Sequence, residues 1–295
     1  MKLMNHRIVC LMLSVCILCL FPSLRLKAAE QYEIKVNEEQ QVTAYYKDAL
    51  VTDTYLALKE SSDSYKIVKP GAKSSQVYYF DSNGIGQVST KDAFITIPYD
   101  GKKVKKREYF IQQGVIQKNK IGGGRVKGYA YMDEDGIVVR DKTVQLAVDY
   151  VIAHTKRSDS RKVKLRKCYN YLHTHYPYKR VYTGLYPKAG DMSDYAYEMF
   201  TEKKGNCHRY AICFAYIARV LGYDSKVVVG DCTARGGGWT PHGWSLVNNG
   251  KGWYVCDPDM ELHHLNSYMR SGTPLATKVT RTCTLSVKNG KVIWK

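Results

Sequence analysis

The sequence predicts an α+β protein in two parts: a region of β-hairpins over 29–140, then a domain over 141–295 in which helices precede an antiparallel sheet. Three observations predict it. The first is apolar–polar alternation broken by Gly-containing turns, which runs from about residue 31 to 140. The second is a set of four stretches with helical apolar spacing between 141 and 222. The third is a return to extended runs after Lys226, punctuated by Asn-Gly pairs.

The first 28 residues are set apart from both. Lys2, His6 and Arg7 precede a 14-residue apolar run from Ile8 to Phe21, and Ala28 and Ala29 follow. A run this short falls below the roughly 20 residues that span a bilayer as a helix. A basic start, a short apolar stretch and small residues make a secretory signal peptide, expected to be cleaved after Ala28 or Ala29. A retained N-terminal anchor is the other reading. No later segment is apolar enough to span, so the mature chain is expected outside the cell or on its wall, as in a Gram-positive-type bacterium.

The 295 residues carry 45 Lys and Arg against 27 Asp and Glu, a net charge of +18. Removing four basic residues with the leader leaves about +14. Such an excess favours anionic polymers or surfaces as partners. No zinc-finger spacing or RNP-type motif is present, so nucleic acid is not an expected partner. With 44% apolar and 24% charged residues the chain is neither disordered, collagenous nor coiled coil.

In the first part three segments repeat one pattern. Tyr78-Tyr79-Phe80 leads through Asp81-Ser82-Asn83-Gly84 to Ile85, Tyr109-Phe110-Ile111 through Gln112-Gln113-Gly114 to Val115-Ile116, and Tyr129-Ala130-Tyr131 through Asp133-Glu134-Asp135-Gly136 to Ile137-Val138. Each is an aromatic strand, a polar turn whose Gly can take positive φ, and a β-branched strand. Tyr45-Tyr46-Lys47-Asp48 before Leu50-Val51 is a degenerate fourth unit. Single hairpins bury no core, so they are expected to stack. They resemble the cell-wall-binding hairpin repeats of Gram-positive secreted proteins, which implies a wall polymer as ligand. The Trp residues that build such sugar cages are missing, since all four Trp lie beyond residue 238.

In the second part helices are expected at 141–155, 163–176, 194–202 and from Cys207 to Leu221, where Gly222 stops the last. Cys207 sits at the start of that helix, where free backbone N–H groups and the dipole favour a thiolate. Gly205 permits a tight entry and space for a substrate. Cys213, inside the apolar helix, reads as a buried small hydrophobe. Few or no disulfides are expected, and Cys232–Cys256 is the one pair worth testing.

A strand at 226–229, a Gly-rich loop at 233–241, and strands at 242–247 and 252–257 follow, with Asn249-Gly250 as a two-residue turn. In that register opposite residues sum to 499 and His242 faces Asp257, with Cβ atoms roughly 4.5–5.5 Å apart. A carboxylate beside an imidazole fixes its tautomer and favours its charge. Asp257 also suits capping before Pro258. Trp244 and Trp253 share that face and either wall the cleft or pack it. A final hairpin is expected at 284–294 around Asn289-Gly290, while 262–282 has no clear reading.

Gly205-Asn206-Cys207 before an Ala-rich helix, then Leu221-Gly222-Tyr223, His242-Gly243-Trp244 and Tyr254 through Asp257-Pro258, are similar to the transglutaminase-like superfamily, a papain-like thiol fold. The resemblance covers about 160–260. It implies Cys207 as nucleophile, His242 as general base and acid, Asp257 as the residue that orients it, and acyl transfer from a peptide or isopeptide amide through a thioester to an amine or to water. It departs from animal transglutaminases, which have Gln before the Cys and Trp after it, where Asn206 and His208 stand here. Their upstream Trp has no counterpart, and Tyr182, Tyr186 or Asn206 is left to assist the oxyanion beside the Cys207 N–H. Their calcium apparatus is not visible, and no cofactor is expected. His208 reads as a surface residue or a neighbour of the site, and His173, His175, His263 and His264 as packed or exposed. The other function class is a silent wall-binding or scaffold protein that uses the basic Tyr-rich region.

Overall fold

The computed structural model describes residues 128–295 apart from 182–183, and, between 32 and 124, the strands with short flanks. The leader assigned to 1–28 lies outside the described residues, as do Gln113 and Gly114 of the second hairpin turn. Among the described residues no helix is long and apolar enough to cross a membrane.

Ten strands come first: β1 (Tyr32–Val36), β2 (Val42–Tyr46), β3 (Ala49–Leu50), β4 (Thr54–Leu58), β5 (Tyr65–Val68), β6 (Val77–Phe80), β7 (Ile85–Gly86), β8 (Ala93–Ile97), β9 (Arg107–Gln112) and β10 (Val115–Ile116). They form one antiparallel sheet. The hairpins read from the sequence are β2–β3, β6–β7 and β9–β10. Lys47 and Asp48 both take positive φ in a two-residue turn. A second, three-stranded sheet follows, of β11 (Lys120–Gly124), β12 (Gly128–Met132) and β13 (Val138–Val139).

The units at 78–85 and 129–138 share their local chemistry. Asp81 Oδ1 accepts from Asn83 N and Ile85 N, and Asp133 Oδ1 accepts from Asp135 N and Ile137 N. Gly84 and Gly136 sit at φ 72° and 87°. The third hairpin lies in its own sheet and packs both ways: Ala130, Met132 and Val138 stack on Phe110 of the second hairpin, while Tyr131 and Val139 pack into the core of the helices that follow. The aromatic pattern is satisfied by that core as well as it would be by another hairpin.

Five helices follow: α1 (Lys142–His154), α2 (Arg161–His175), α3 (Met192–Glu202), α4 (Cys207–Val220) and the short α5 (Pro258–Glu261). Asp141 and Ser160 cap α1 and α2 by accepting from the backbone N–H groups of their first turns. All fourteen residues of α4 are buried, because α1, α2, α3 and α5 cover it on one side and a sheet on the other. Its two buried arginines are paired, Arg209 with Glu198 and Arg219 with Asp224.

That sheet is antiparallel, in the order β17 (Tyr268–Arg270), β16 (Trp253–Cys256), β15 (Trp239–Asn248), β14 (Asp224–Thr233), β18 (Thr277–Lys288), β19 (Lys291–Trp294). The fold is thus α+β, with helices packed on antiparallel sheet. β14 and β15 are longer than the sequence reading gave, and only 234–238 loops out. The ladder continues from Gly230↔His242 to Thr233↔Trp239, and Gly237 and Gly238 take positive φ in the turn. The stretch without a reading supplies β17 and the first half of β18. Asn289 and Gly290, both at positive φ, make the final hairpin as expected. All six described cysteines are free and buried, so Cys232 and Cys256 do not pair.

Candidate active site

The expected β15–β16 register is off by two residues. Ser245 pairs with Cys256 and Asn248 with Trp253, so opposite residues sum to 501. Asn249 does not take the positive φ that a two-residue Asn-Gly turn needs, and the loop spans Asn249 to Gly252. Asn248 Oδ1 accepts from Gly250 N, Asn249 Oδ1 from Lys251 N, and Asn249 N donates to Gly252 O. A shift of two keeps every side chain on its face. The sheet therefore still delivers His242 to Asp257.

The imidazole Nε2 of His242 lies 2.7 Å from Asp257 Oδ2. Both are buried, at 3% and 2% exposure. Asp257 stands one residue past β16 and begins α5, and its other oxygen accepts from Met260 N at 3.1 Å. One carboxylate thus both caps α5 and holds the imidazole. Its backbone is pinned on both sides: Tyr169 OH donates to Asp257 O, and Asp257 N donates to Ser267 O. Trp244, two residues along β15, stacks near His242 with ring centroids 6.0 Å apart. Trp253 does not share this site. It lies at the far end of β16 under Lys226.

Cys207 opens α4. Asn206 caps the helix by accepting from Arg209 N at 3.2 Å. Gly205 is needed for close packing: a Cβ there would meet Met199 Sδ at 2.6 Å and Arg209 Cβ at 2.8 Å. The space expected for substrate beside Gly205 is filled by these side chains. The Cys207 sulfur, a ring nitrogen of His242 and a carboxylate oxygen of Asp259 lie within 4.8 Å of one another. The structure therefore brings together the three residues read from the sequence, and adds Asp259, which that reading missed.

Electrostatics suit proton transfer. Burial works against charging His242, yet the adjacent Asp257 charge and hydrogen bond outweigh it and raise its pKa well above the usual histidine value. Burial, reinforced by Asp257 and opposed by His242, pushes the Asp259 carboxyl up to about 7. His208 is wholly buried, not on the surface. Its Nδ1 lies 3.5 Å from Cys207 Sγ, and burial and the His242 charge push its pKa down to about 4. It is neutral at pH 7, with Gly243 of β15 against its ring.

Of the oxyanion candidates, Tyr182 lies outside the described residues, and Tyr186 donates its hydroxyl to Asp231 Oδ1 at 2.6 Å. Asn206 Oδ1 is engaged in the cap. A residue the sequence reading missed is Tyr178, bridged to Gly205 just before the nucleophile. Burial and then the charges of Cys207 and Asp259 raise its phenol to about 12, so it stays a proton donor. In the sequence it stands only as the residue after Pro177, with nothing to mark it.

A thiol at a helix N-terminus, beside an imidazole held by a buried carboxylate, can form a covalent acyl intermediate. The family model described as the transglutaminase-like superfamily matches residues 148–258. A solved structure described as a TGase is 20% identical over 39% of this chain and 31% of its own, with a TM-score of 0.31. One described as a candidate cysteine protease of Cytophaga hutchinsonii is 12% identical over 48% of this chain and 50% of its own, with a TM-score of 0.32. The chain thus spans at most half the length of either. No curated protein matches it. With Cys207, His242 and Asp257 all inside the matched stretch, residues 148–258 form a domain of the transglutaminase-like superfamily.

Proposed function

We propose that the protein is a secreted thiol enzyme that attacks a peptide or isopeptide amide and passes the acyl group from Cys207 to an amine or to water. The observation that carries this reading is the convergence of the Cys207 sulfur on a His242 ring already bonded through Nε2 to Asp257. The thiolate adds to the carbonyl carbon. The tetrahedral oxyanion is met by the Cys207 N–H, which has no partner within its own helix, and by the Tyr178 hydroxyl. The imidazolium gives its proton to the leaving amine as the C–N bond breaks, and a thioester remains on Cys207. The incoming amine or water then loses a proton to His242 as it attacks, and the Cys207 thiolate is released, paired again with the imidazolium. Asp257 keeps the ring oriented and stabilises its charge in both halves.

Secretion rests on the leader-like sequence of 1–28, and the excess of basic residues favours acidic surroundings such as a cell envelope. The test is mass spectrometry of the protein mixed with a Gln-rich protein or wall peptides and a labelled primary amine, with Cys207→Ala as control. Incorporation absent from the control supports a transferase, and cleavage absent from the control supports a peptidase. Activity that survives Cys207→Ala overturns the assignment.

A further inference from the structure

We infer that Cys207, His242 and Asp259 form a zinc-binding site, and that zinc held there blocks the thiol. The blocking of catalysis rests on the reading given under Proposed function; the metal site itself does not.

Asp259 is the observation that the acyl-transfer mechanism leaves over. Its Oδ2 lies 3.7 Å from His242 Nδ1, on the side of the ring away from Asp257. The residue is 6% exposed, and its Oδ1 is buried with no hydrogen-bond partner. A buried carboxylate oxygen without a partner is costly and calls for a compensating charge. A cation held between this carboxylate, a sulfur and an imidazole nitrogen, whose ligand atoms all lie within 4.8 Å of one another, would supply one. Ligands of a tetrahedral zinc sit about 2.0–2.3 Å from the metal, and so roughly 3.5 Å from each other. The His242–Asp259 separation already meets that spacing. The sulfur needs a side-chain adjustment of up to about 1.3 Å, the difference between 4.8 Å and that spacing.

The surroundings of the ligands also suit a metal. His242 gives its Nε2 to Asp257, which leaves Nδ1 as the free donor and fixes the ring, the carboxylate–histidine–metal arrangement. Asp257 is itself fixed by Met260 N. Thiolate and imidazole together select zinc over magnesium or calcium, which prefer all-oxygen sites. Three protein ligands leave a fourth position for water. Its ligands come from the start of α4, the middle of β15 and α5, with no metal-binding spacing between them to mark the site in the sequence.

Binding is an exchange without redox change: Zn²⁺ displaces the one proton held between Cys207 and His242 Nδ1, and binds the thiolate and the freed Nδ1 lone pair. Both groups that start acyl transfer are then occupied, and removal of the metal restores them.

The test uses the full chain, stripped of metal and titrated with zinc alone. One zinc per chain is expected, with alkylation of Cys207 by iodoacetamide, followed by peptide mass spectrometry, slowed at least tenfold and restored by a chelator. Cobalt(II) in place of zinc is expected to give thiolate charge-transfer absorption that Cys207→Ala abolishes. Asp259→Asn, checked for native circular dichroism, is expected to weaken zinc at least tenfold. If that variant does not fold, zinc X-ray absorption of the wild type replaces it, with one sulfur and otherwise nitrogen and oxygen ligands expected. Unchanged zinc affinity in folded Asp259→Asn, an unslowed Cys207, or a sphere with no sulfur or with several would overturn the site. None of these readouts needs a substrate, so an inert peptide assay would sink the acyl-transfer reading and leave this one standing.

Discussion

Gly243 sits on β15 between His242 and Trp244, with its Cα against the buried ring of His208. A Cβ at that position would lie 2.6 Å from His208 Cδ2, about 0.8 Å short of the 3.4 Å at which ordinary contact begins. His208 is 0% exposed and cannot retreat into solvent. Gly243→Ala must therefore push β15 off α4 or force the ring from its rotamer. Overpacking of this kind costs about 1–3 kcal/mol, and we expect about 2 kcal/mol in chemical denaturation. The displaced backbone carries His242, and a shift approaching 1 Å in a catalytic group lowers the rate by up to about 10²-fold. Both quantities are measurable on one sample, by urea unfolding and by the rate of Cys207-dependent turnover. Adding His208→Ala should relieve the clash, so the double variant should be more stable than the sum of the singles predicts by about 1 kcal/mol or more. A Gly243→Ala protein with wild-type stability and rate, or strict additivity with His208→Ala, would refute the packing argument.

Asp257→Asn keeps the shape but removes the charge that holds the imidazole. Turnover should fall by about 10² or more, with a smaller change in KM, as steady-state kinetics would show. Tyr178→Phe removes one oxyanion donor, and kcat should fall roughly tenfold to a thousandfold with KM nearly constant. His208, neutral when folded and with its pKa pushed down to about 4, binds a proton in the unfolded chain near pH 6.5. Its contribution is present above pH 6.5 and is lost as pH falls toward 4, about 3 kcal/mol in all. His208→Gln should flatten the pH dependence of stability relative to wild type across that window, and parallel curves would count against the assignment.

The site was largely legible because its determinants are local. The start of α4 is written in Gly205-Asn206-Cys207 and the apolar spacing behind it. The face relation of His242 and Asp257 survived a wrong turn assignment because a two-residue slip preserves parity. The loop itself was misread: the Asn-Gly signal is shared by the tight turn at 289–290 and the wider loop at 249–252, and only the backbone φ separates them. Asp259 and Tyr178 were missed because their roles depend on tertiary approach, α5 folding back over α4 and the 178 segment bridging to Gly205. The third hairpin looked like its siblings in sequence, yet the core drawn from Val144 through Val287 took up its aromatic face. The stretch 262–282 gave no periodicity because β17 is short and β18 is half exposed.

The most direct test of the central claim is the intact mass of the full chain quenched in acid during turnover of a peptide amide. An adduct equal to the acyl part of the substrate is expected, mapped to Cys207, sensitive to hydroxylamine and absent from Cys207→Ala. Turnover that proceeds without any such adduct, or an adduct on another residue, would contradict it.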